Sequence, residues 1–205
     1  MKRFTDVTLV MLFAPLWIPL VGIVAVLVWM VQGRPVFFHQ PRAGRGGRVF
    51  GIMKFRTMLN LSDQPEAMLP DEQRLTSFGR ALRASSLDEL PELWNVFRGE
   101  MSLVGPRPLL LEYTPHYSPT QARRLDVLPG ITGWAQINGR NALSWEQRFD
   151  LDAWYVDHRT WWLDMKILMV TLLRVLKRQG VTPTNHEIMP RFVGSDAVKT
   201  REASP

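Results

Sequence analysis

The stretch Ser85-Ser86-Leu87-Asp88-Glu89-Leu90-Pro91-Glu92 sets two carboxylates side by side just ahead of a proline. Ser86 and Glu89 fit the S-x-x-E capping box, which would make both acids parts of a helix start. Pro91 argues against that register, because with Ser86 as cap it would be the fifth helical residue, where proline costs about 3 kcal/mol. At the first helical position the same proline is comfortable. Asp88 and Glu89 then lie in the turn leading into the helix. Neighbouring carboxylates near backbone donors suit a hard cation, and Mg²⁺ commonly takes one or two carboxylates plus substrate phosphates. An acid pair alone is frequent on protein surfaces, so its surroundings decide.

Those surroundings are basic. Lys54, Arg56, Arg80, Arg83, Arg98 and Arg107 lie in segments rich in Gly, Pro and Ser. Guanidinium forks bind phosphate oxygens bidentately, so such a group beside a metal-binding acid pair would suit a diphosphate. Taken singly, each also reads as a solvated surface charge. Arg107 stands apart, because Pro106 and Pro108 fix its backbone and imply a positioned side chain. Gly44-Arg45-Gly46-Gly47-Arg48 has the glycines of a phosphate nest but not the GKS/T ending of a P-loop, and reads better as a hairpin turn. His39, His116, His158 and His186 follow no metal-ligand spacing. No G-x-S-x-G or G-x-G-x-x-G occurs, which removes the usual hydrolase elbow and dinucleotide fingerprint.

Positioning these groups calls for an α-rich α+β domain. Val36–Gln40 and Val49–Phe55 are β-prone and flank PRAGRGGR, the pattern of a hairpin with a glycine-rich turn. Leu61–Gln73 is polar with two prolines and reads as a loop or short helix. Helices are expected over Leu75–Ala84, from Pro91 to Phe97, over Trp145–Tyr155 and over Trp161–Arg178, with Leu109–Tyr117 a further helical stretch. Arg98–Pro108 is turn-rich, Pro129–Arg140 reads as loop and short strand, and the tail from Gly180 is irregular. On the last helix Asp164, Thr171, Arg174 and Arg178 form one polar stripe in an otherwise apolar wheel. A face that wide suits burial in a core or shallow seating in a membrane interface, with Trp161 and Trp162 at headgroup depth.

The 205 residues are 46% hydrophobic and 10% aromatic, enough to bury a core and unlike a disordered chain. No cysteine is present, which excludes disulfides, a thiolate nucleophile, zinc fingers and iron–sulfur sites. A net charge of +6 favours anionic partners. The mean hydropathy of −0.08 averages two unlike parts. Val7–Val31 carries no charge, and roughly 20 apolar residues let a helix cross a bilayer. The run is too long for a signal peptide and ends in bulky Trp29, Met30 and Val31. Pro15 and Pro19 interrupt it, while Lys2 and Arg3 precede it and Arg34, Arg42, Arg45 and Arg48 follow. Positive flanks at both ends oppose a crossing, so a re-entrant helix–break–helix hairpin is expected, with a proline-kinked single span as the alternative.

Three segments carry a resemblance: KFRTM (Lys54–Met58), SSLDELPELWNVFRGEMSLVGPRP (Ser85–Pro108) and PGITGWAQINGRN (Pro129–Asn141). With the apolar N-terminal run they resemble the bacterial sugar transferases, the monotopic polyprenyl-phosphate phosphoglycosyl transferases, from about Lys2 to Lys177. The length looks like the minimal catalytic form of that family. The resemblance implies transfer of a phosphosugar from a UDP-sugar to undecaprenyl phosphate with release of UMP. It makes Asp88 the nucleophile, forming a covalent aspartyl phosphosugar, and Glu89 a Mg²⁺-holding partner. Lys54, Arg83 and Arg107 match phosphate- or nucleotide-contacting positions, and Arg56 of the same KFRTM segment is grouped with them.

The family's hairpin break is usually Ser-Pro. Here the matching pair is Ala14-Pro15, which lacks the hydroxyl that could bond a freed carbonyl, so the break rests on Pro15 and Pro19. The expected organisation is a membrane hairpin over 1–34, a cytosolic catalytic domain with interfacial amphipathic helices over 35–180, and a tail over 181–205, on the cytoplasmic face of the bacterial inner membrane. Membrane lipid, a second copy of the chain or downstream glycosyltransferases are the further partners implied, in capsule, exopolysaccharide, O-antigen or glycoprotein glycan assembly. Two other readings stand beside this one. A membrane-anchored scaffold would keep the fold without the chemistry. A nucleic-acid binder, suggested by the isoelectric point alone, would need aromatics interleaved with its basic residues on a groove, and nucleic acid is not an expected partner.

Overall fold

The computed structural model describes residues 1–59, 74–139, 143–177 and 191–194. The readings made for Leu61–Gln73, Arg140, Asn141, Arg178, His186 and most of the tail from Gly180 fall outside the described residues.

The apolar run forms two helices, α1 (Lys2–Leu12) and α2 (Ala14–Gln32), of which α2 is long and apolar enough to cross a membrane by length and composition. The break sits at Phe13, with φ −92° and ψ 2°. Pro15 is the reason: it has no N–H to give the carbonyl four residues back, whereas in the first turn of a new helix the missing donor is harmless. Ala14 opens α2, and the Trp17 indole Nε1 donates to the Val10 carbonyl at 2.9 Å, taking the acceptor that the break leaves open. Pro19 does not break the chain: α2 runs through it, at the cost of one ladder bond.

Both ends of the helix pair dock on the same globular domain. At the start of α1, Arg3 donates to the Val96 and Phe97 carbonyls, Lys2 pairs with Asp164 at 2.5 Å, and Asp6 accepts from Ser102 Oγ at 2.8 Å. At the end of α2, Val24 and Val28 pack with Phe55 and Leu82, and Gln32 Nε2 donates to Thr76 Oγ1 at 3.0 Å. Much of what lies between, Leu12, Leu16 and Ile23 among it, is exposed.

The expected hairpin forms. Strand β1 (Phe37–Ala43) pairs antiparallel with β2 (Val49–Phe55), Phe38 opposite Lys54 and Arg42 opposite Phe50, around a glycine turn in which Gly46 and Gly47 have φ of 66° and 74°. Then come α3 (Ser77–Ser85), a 3₁₀ turn over Leu87–Glu89, and α4 (Glu92–Arg98). Within the turn-rich Arg98–Pro108 lies β3 (Ser102–Val104), parallel to β4 (Gly130–Thr132), a pairing with no local signature. Leu111–His116 is 3₁₀ with Pro115 inside it, followed by the single-turn α5 (Pro119–Ala122) and a 3₁₀ turn at Arg123–Asp126. The segment read as loop and strand also contains α6 (Trp134–Asn138). Helices α7 (Trp145–His158) and α8 (Trp161–Leu176) complete the domain, and Phe192 plugs an aromatic box of Tyr113, Trp145 and Phe149.

Helix α8 is inside out by the standards of a water-facing helix. Two residues of its polar stripe point inward: Asp164 takes Lys2 and the Tyr155 hydroxyl, the latter at 2.6 Å, and the Thr171 and Thr132 hydroxyls meet at 2.7 Å. Ile167 is fully buried, yet Trp162 is 76% exposed and Met169, Leu172 and Leu173 face outward with it. The structure therefore divides the two fates left open for this wheel, one apolar flank packing in the core and the other presented outside.

Candidate active site

Thr76 caps α3, its Oγ1 accepting from the Gly79 amide at 2.8 Å. The helix ends on Ser86, whose φ of 57° is left-handed and costs a residue with a Cβ about 1–2 kcal/mol. That reversal swings the chain into the 3₁₀ turn bearing Asp88 and Glu89 and on through Pro91 into α4. The capping box is absent: Ser86 makes no side-chain cap bond, and only the Glu89 amide reaches back to the Ser86 carbonyl, at 3.3 Å. Both carboxylates are thus released to face a cavity of about 920 Å³.

Cations come to this turn from two other elements. Lys54 on β2 donates to Glu89 Oε1 at 2.8 Å and lies 3.1 Å from Glu92 Oε1. Arg107, in the loop after β3, donates to the same Glu89 oxygen. Its loop is held by close backbone approach: a Cβ on Gly130 would lie 2.1 Å from the Gly105 nitrogen, and one on Gly133 2.1 Å from the Gly105 carbonyl oxygen. Arg124, itself paired with buried Asp152 at 2.9 Å, donates to the Arg107 carbonyl at 2.7 Å. Arg83, on the last turn of α3, reaches Thr57 Oγ1 at 3.0 Å on the cavity wall.

The two neighbouring acids are driven apart electrostatically. Burial would raise the Glu89 carboxyl, but Arg107 and Lys54 outweigh it and hold it well below the usual carboxylate range. Asp88, 8% exposed, is pushed up to about 6, by burial first and then by the charge on Glu89, against the pull of Lys54, Arg107 and Arg83. It has no salt bridge or side-chain hydrogen bond among the described residues. Glu92, 1% exposed, is pushed up to about 7 by burial and by Glu89. Glu89 is therefore favoured in its charged form and tied down, and Asp88 is untethered.

Of the basic residues read from the sequence, Lys54, Arg83 and Arg107 converge on the acids. Arg56 lines the same cavity, but its guanidinium is taken up with the Gln32, Gly33 and Arg34 carbonyls at the end of α2, so it anchors the helix pair instead of offering donors to a phosphate. Arg80 turns to its own helix start and Arg98 to Glu100, both away from the site. Arg148, and Arg42, which the sequence reading placed only in the basic flank of the apolar run, also line the cavity, and Glu92 lies buried against Lys54. Glu92 was legible as an acid one helical turn beyond Glu89. Arg148 carried no local signal, since only the packing of α7 brings it here.

The acid pair also fits a hard cation. Asp88 keeps both oxygens open, and Glu89 retains Oε2, because Lys54 and Arg107 share Oε1. No cluster of three or more metal-ligating side chains occurs among the described residues, so a Mg²⁺ ion here would complete its shell with phosphate oxygens and water.

Two neighbouring carboxylates, one tied to lysine and arginine and one untethered, face an open cavity with further basic residues on its wall, on a chain with an apolar helix pair; such a setting suits chemistry on phosphate groups. The chain belongs to the bacterial sugar transferase family, whose profile matches residues 1–178. It is 49% identical, over 98% of its own length and 99% of the relative's, to an uncharacterised sugar transferase, EpsL, of Bacillus subtilis. It is 37% identical to a UDP-galactose-lipid carrier transferase of Erwinia amylovora over 88% of this chain and 41% of that protein. It is 43% identical to a UDP-glucose:undecaprenyl-phosphate glucose-1-phosphate transferase of Xanthomonas campestris pv. campestris over 78% of this chain and 35% of that protein. The chain thus spans less than half the length of these two relatives.

Proposed function

We propose that the protein transfers a phosphosugar from a UDP-sugar to undecaprenyl phosphate or a similar polyprenyl phosphate, giving a polyprenyl diphosphosugar and UMP. The observation that carries this reading is the split between the two acids: Asp88 untethered and facing the cavity, Glu89 tied through Oε1 to Arg107 and Lys54. Two carboxylates with opposed environments divide nucleophile and stabiliser between them. An Asp88 oxygen attacks the sugar-bearing phosphorus, the P–O bond to UMP breaks, and the sugar phosphate is left as an acyl phosphate on Asp88. An oxygen of the lipid phosphate then attacks the same phosphorus and the Asp88 carboxylate leaves. Lys54, Arg83 and Arg107 neutralise charge on the transferring oxygens and hold them in line. Asp88 and Glu89 would hold Mg²⁺, which supplies further neutralisation of the diphosphate.

The helix pair and α8 give this chemistry its place. Two ends docked on one domain, with an exposed apolar middle, support reading this segment as a re-entrant hairpin that enters one leaflet. The outward apolar flank of α8, tied to the start of α1 through Lys2 and Asp164, would rest in the headgroup layer beside it. The site then meets a lipid phosphate at bilayer height, on the cytoplasmic face where UDP-sugars are found. Cysteine labelling before Phe4 and at Gly33 from opposite sides would refute the hairpin.

A panel of UDP-sugars with polyprenyl phosphate and Mg²⁺, read by UMP release, tests activity and donor together. Mass spectrometry of protein treated with the active donor should find the sugar phosphate on Asp88. Its appearance on another side chain, or wild-type-like turnover by Asp88→Asn, would overturn the assignment.

A further inference from the structure

Phe38, Gln40 and Arg42 alternate along β1, so all three share one face of the strand, and all three line the cavity. Arg42 is half-buried there without a carboxylate. Its Nη2 donates to Gln40 Oε1 at 2.5 Å, its Nε is buried with no partner, and no ion pair reaches it among the described residues. Burial, and then Arg107, lower the Arg42 guanidinium below its usual value, against a smaller opposing pull from Glu92, which makes no ion pair with it. Burying guanidinium groups together is costly unless an anion sits between them. Arg107 is bonded to Glu89; Arg42 has no bonded carboxylate among the described residues.

Position along the strand says which anion. Phe38 is paired with Lys54 at the end of the hairpin next to α2, where Arg56 grips the last α2 carbonyls. Arg42 is four residues further on, about 14 Å along an extended strand, beside the loop carrying Arg107, whose neighbour Leu110 it bridges. An acceptor phosphate tethered to a lipid enters from the side of the helix pair. The Arg42 end lies away from that side, which suits it to the soluble substrate.

We propose that Arg42 binds the nucleotide-side phosphate of the donor, the one that leaves as UMP, gripping it together with Arg107. This rests on the phosphosugar-transferase reading above and adds to it a division of the cavity: the transferring phosphate lies where Lys54 and Arg107 meet at Glu89, the donor nucleotide lies beyond it towards Arg42, and the lipid phosphate approaches from the helix-pair side. Arg42 is then a donor-affinity residue that acts in the first half-reaction and is silent in the second.

The test uses the full chain in detergent micelles with Mg²⁺, as wild type, Arg42→Gln and Arg42→Lys. Three quantities are read: KM for the active UDP-sugar, KM for polyprenyl phosphate, and affinity for UMP from the rise in unfolding temperature. Loss of a charged hydrogen-bonding pair predicts that Arg42→Gln weakens UMP binding and raises the donor KM by about 10- to 100-fold. The polyprenyl phosphate KM should be unchanged, and Arg42→Lys should recover part of the loss. If Arg42→Gln does not fold, Arg42→Lys carries the same expectation at a smaller size. A rise in the polyprenyl phosphate KM instead, no change in UMP affinity, or a fall in kcat alone would overturn the Arg42 assignment while leaving the transferase reading intact. A wild type that neither turns over any UDP-sugar nor binds UMP would overturn both.

Discussion

Replacing Asp88 with asparagine should destroy turnover and at the same time make the fold more stable. The folded protein holds the Asp88 carboxyl at about 6 against an ordinary 3.8, a displacement worth roughly 3 kcal/mol at 1.36 kcal/mol per unit. Because the folded-state value is the higher one, the charged form is what folding disfavours. The penalty is absent below pH 3.8, accumulates as pH rises towards 6, and is constant above it. Asparagine keeps the shape and discards the charge. In divalent-free buffer at pH 7 the variant should gain up to about 3 kcal/mol, or a Tm rise of about 6–12 °C for a chain of this size. At pH 4.5 the gain should shrink to about 1 kcal/mol. Tryptophan fluorescence during thermal unfolding in detergent reads both, and added Mg²⁺ should narrow the difference at pH 7 by stabilising the wild-type carboxylate. A variant less stable than wild type at pH 7, or a gain of equal size at both pH values, would refute the account of Asp88 as a group held charged against its environment.

The same displacement sets the acid limb of the reaction: the single-turnover rate of UMP release should fall as pH drops below about 6, more steeply at low Mg²⁺, and a rate that does not fall between pH 7 and pH 4.5 would contradict it. Gly130→Ala puts a methyl group 2.1 Å from the Gly105 nitrogen, so the loop bearing Arg107 must shift; kcat should fall at least about 100-fold while the secondary structure by circular dichroism stays native. Trp17→Phe removes the one donor to the Val10 carbonyl seen at the helix break, and should cost about 1–2 kcal/mol of unfolding free energy and speed proteolysis near Phe13, with donor KM unchanged.

The difference between what was legible in the sequence and what was not follows the range of the forces involved. Proline and glycine act within a few residues, so the release of Asp88 and Glu89 from a capping box, the β-hairpin, and a helix break near Pro15 could all be read locally. Pro19 is the local signal that misled, because a helix with packing on one side tolerates the loss of a single ladder bond. Ala14-Pro15 offered no hydroxyl for the freed carbonyl, and the compensation came from Trp17, a residue with no such role implied by its type.

Residue type and spacing by themselves determined that this chain carries an acid pair in a turn, a basic retinue and an apolar anchor. Only the tertiary structure decided which cations serve the acids. Lys54, Arg83 and Arg107 converge on them from three elements, Arg56 in the same short motif as Lys54 is spent on the carbonyls of α2, and Arg42, in the sequence only a member of the basic flank, faces the cavity. The parallel pairing of β3 with β4, which sets Arg107 in place, links residues about 28 positions apart and leaves no periodic trace in either segment. A side chain's charge is fixed by its chemistry, but its partner is fixed by packing between elements distant in the chain, and that information is distributed over the whole fold.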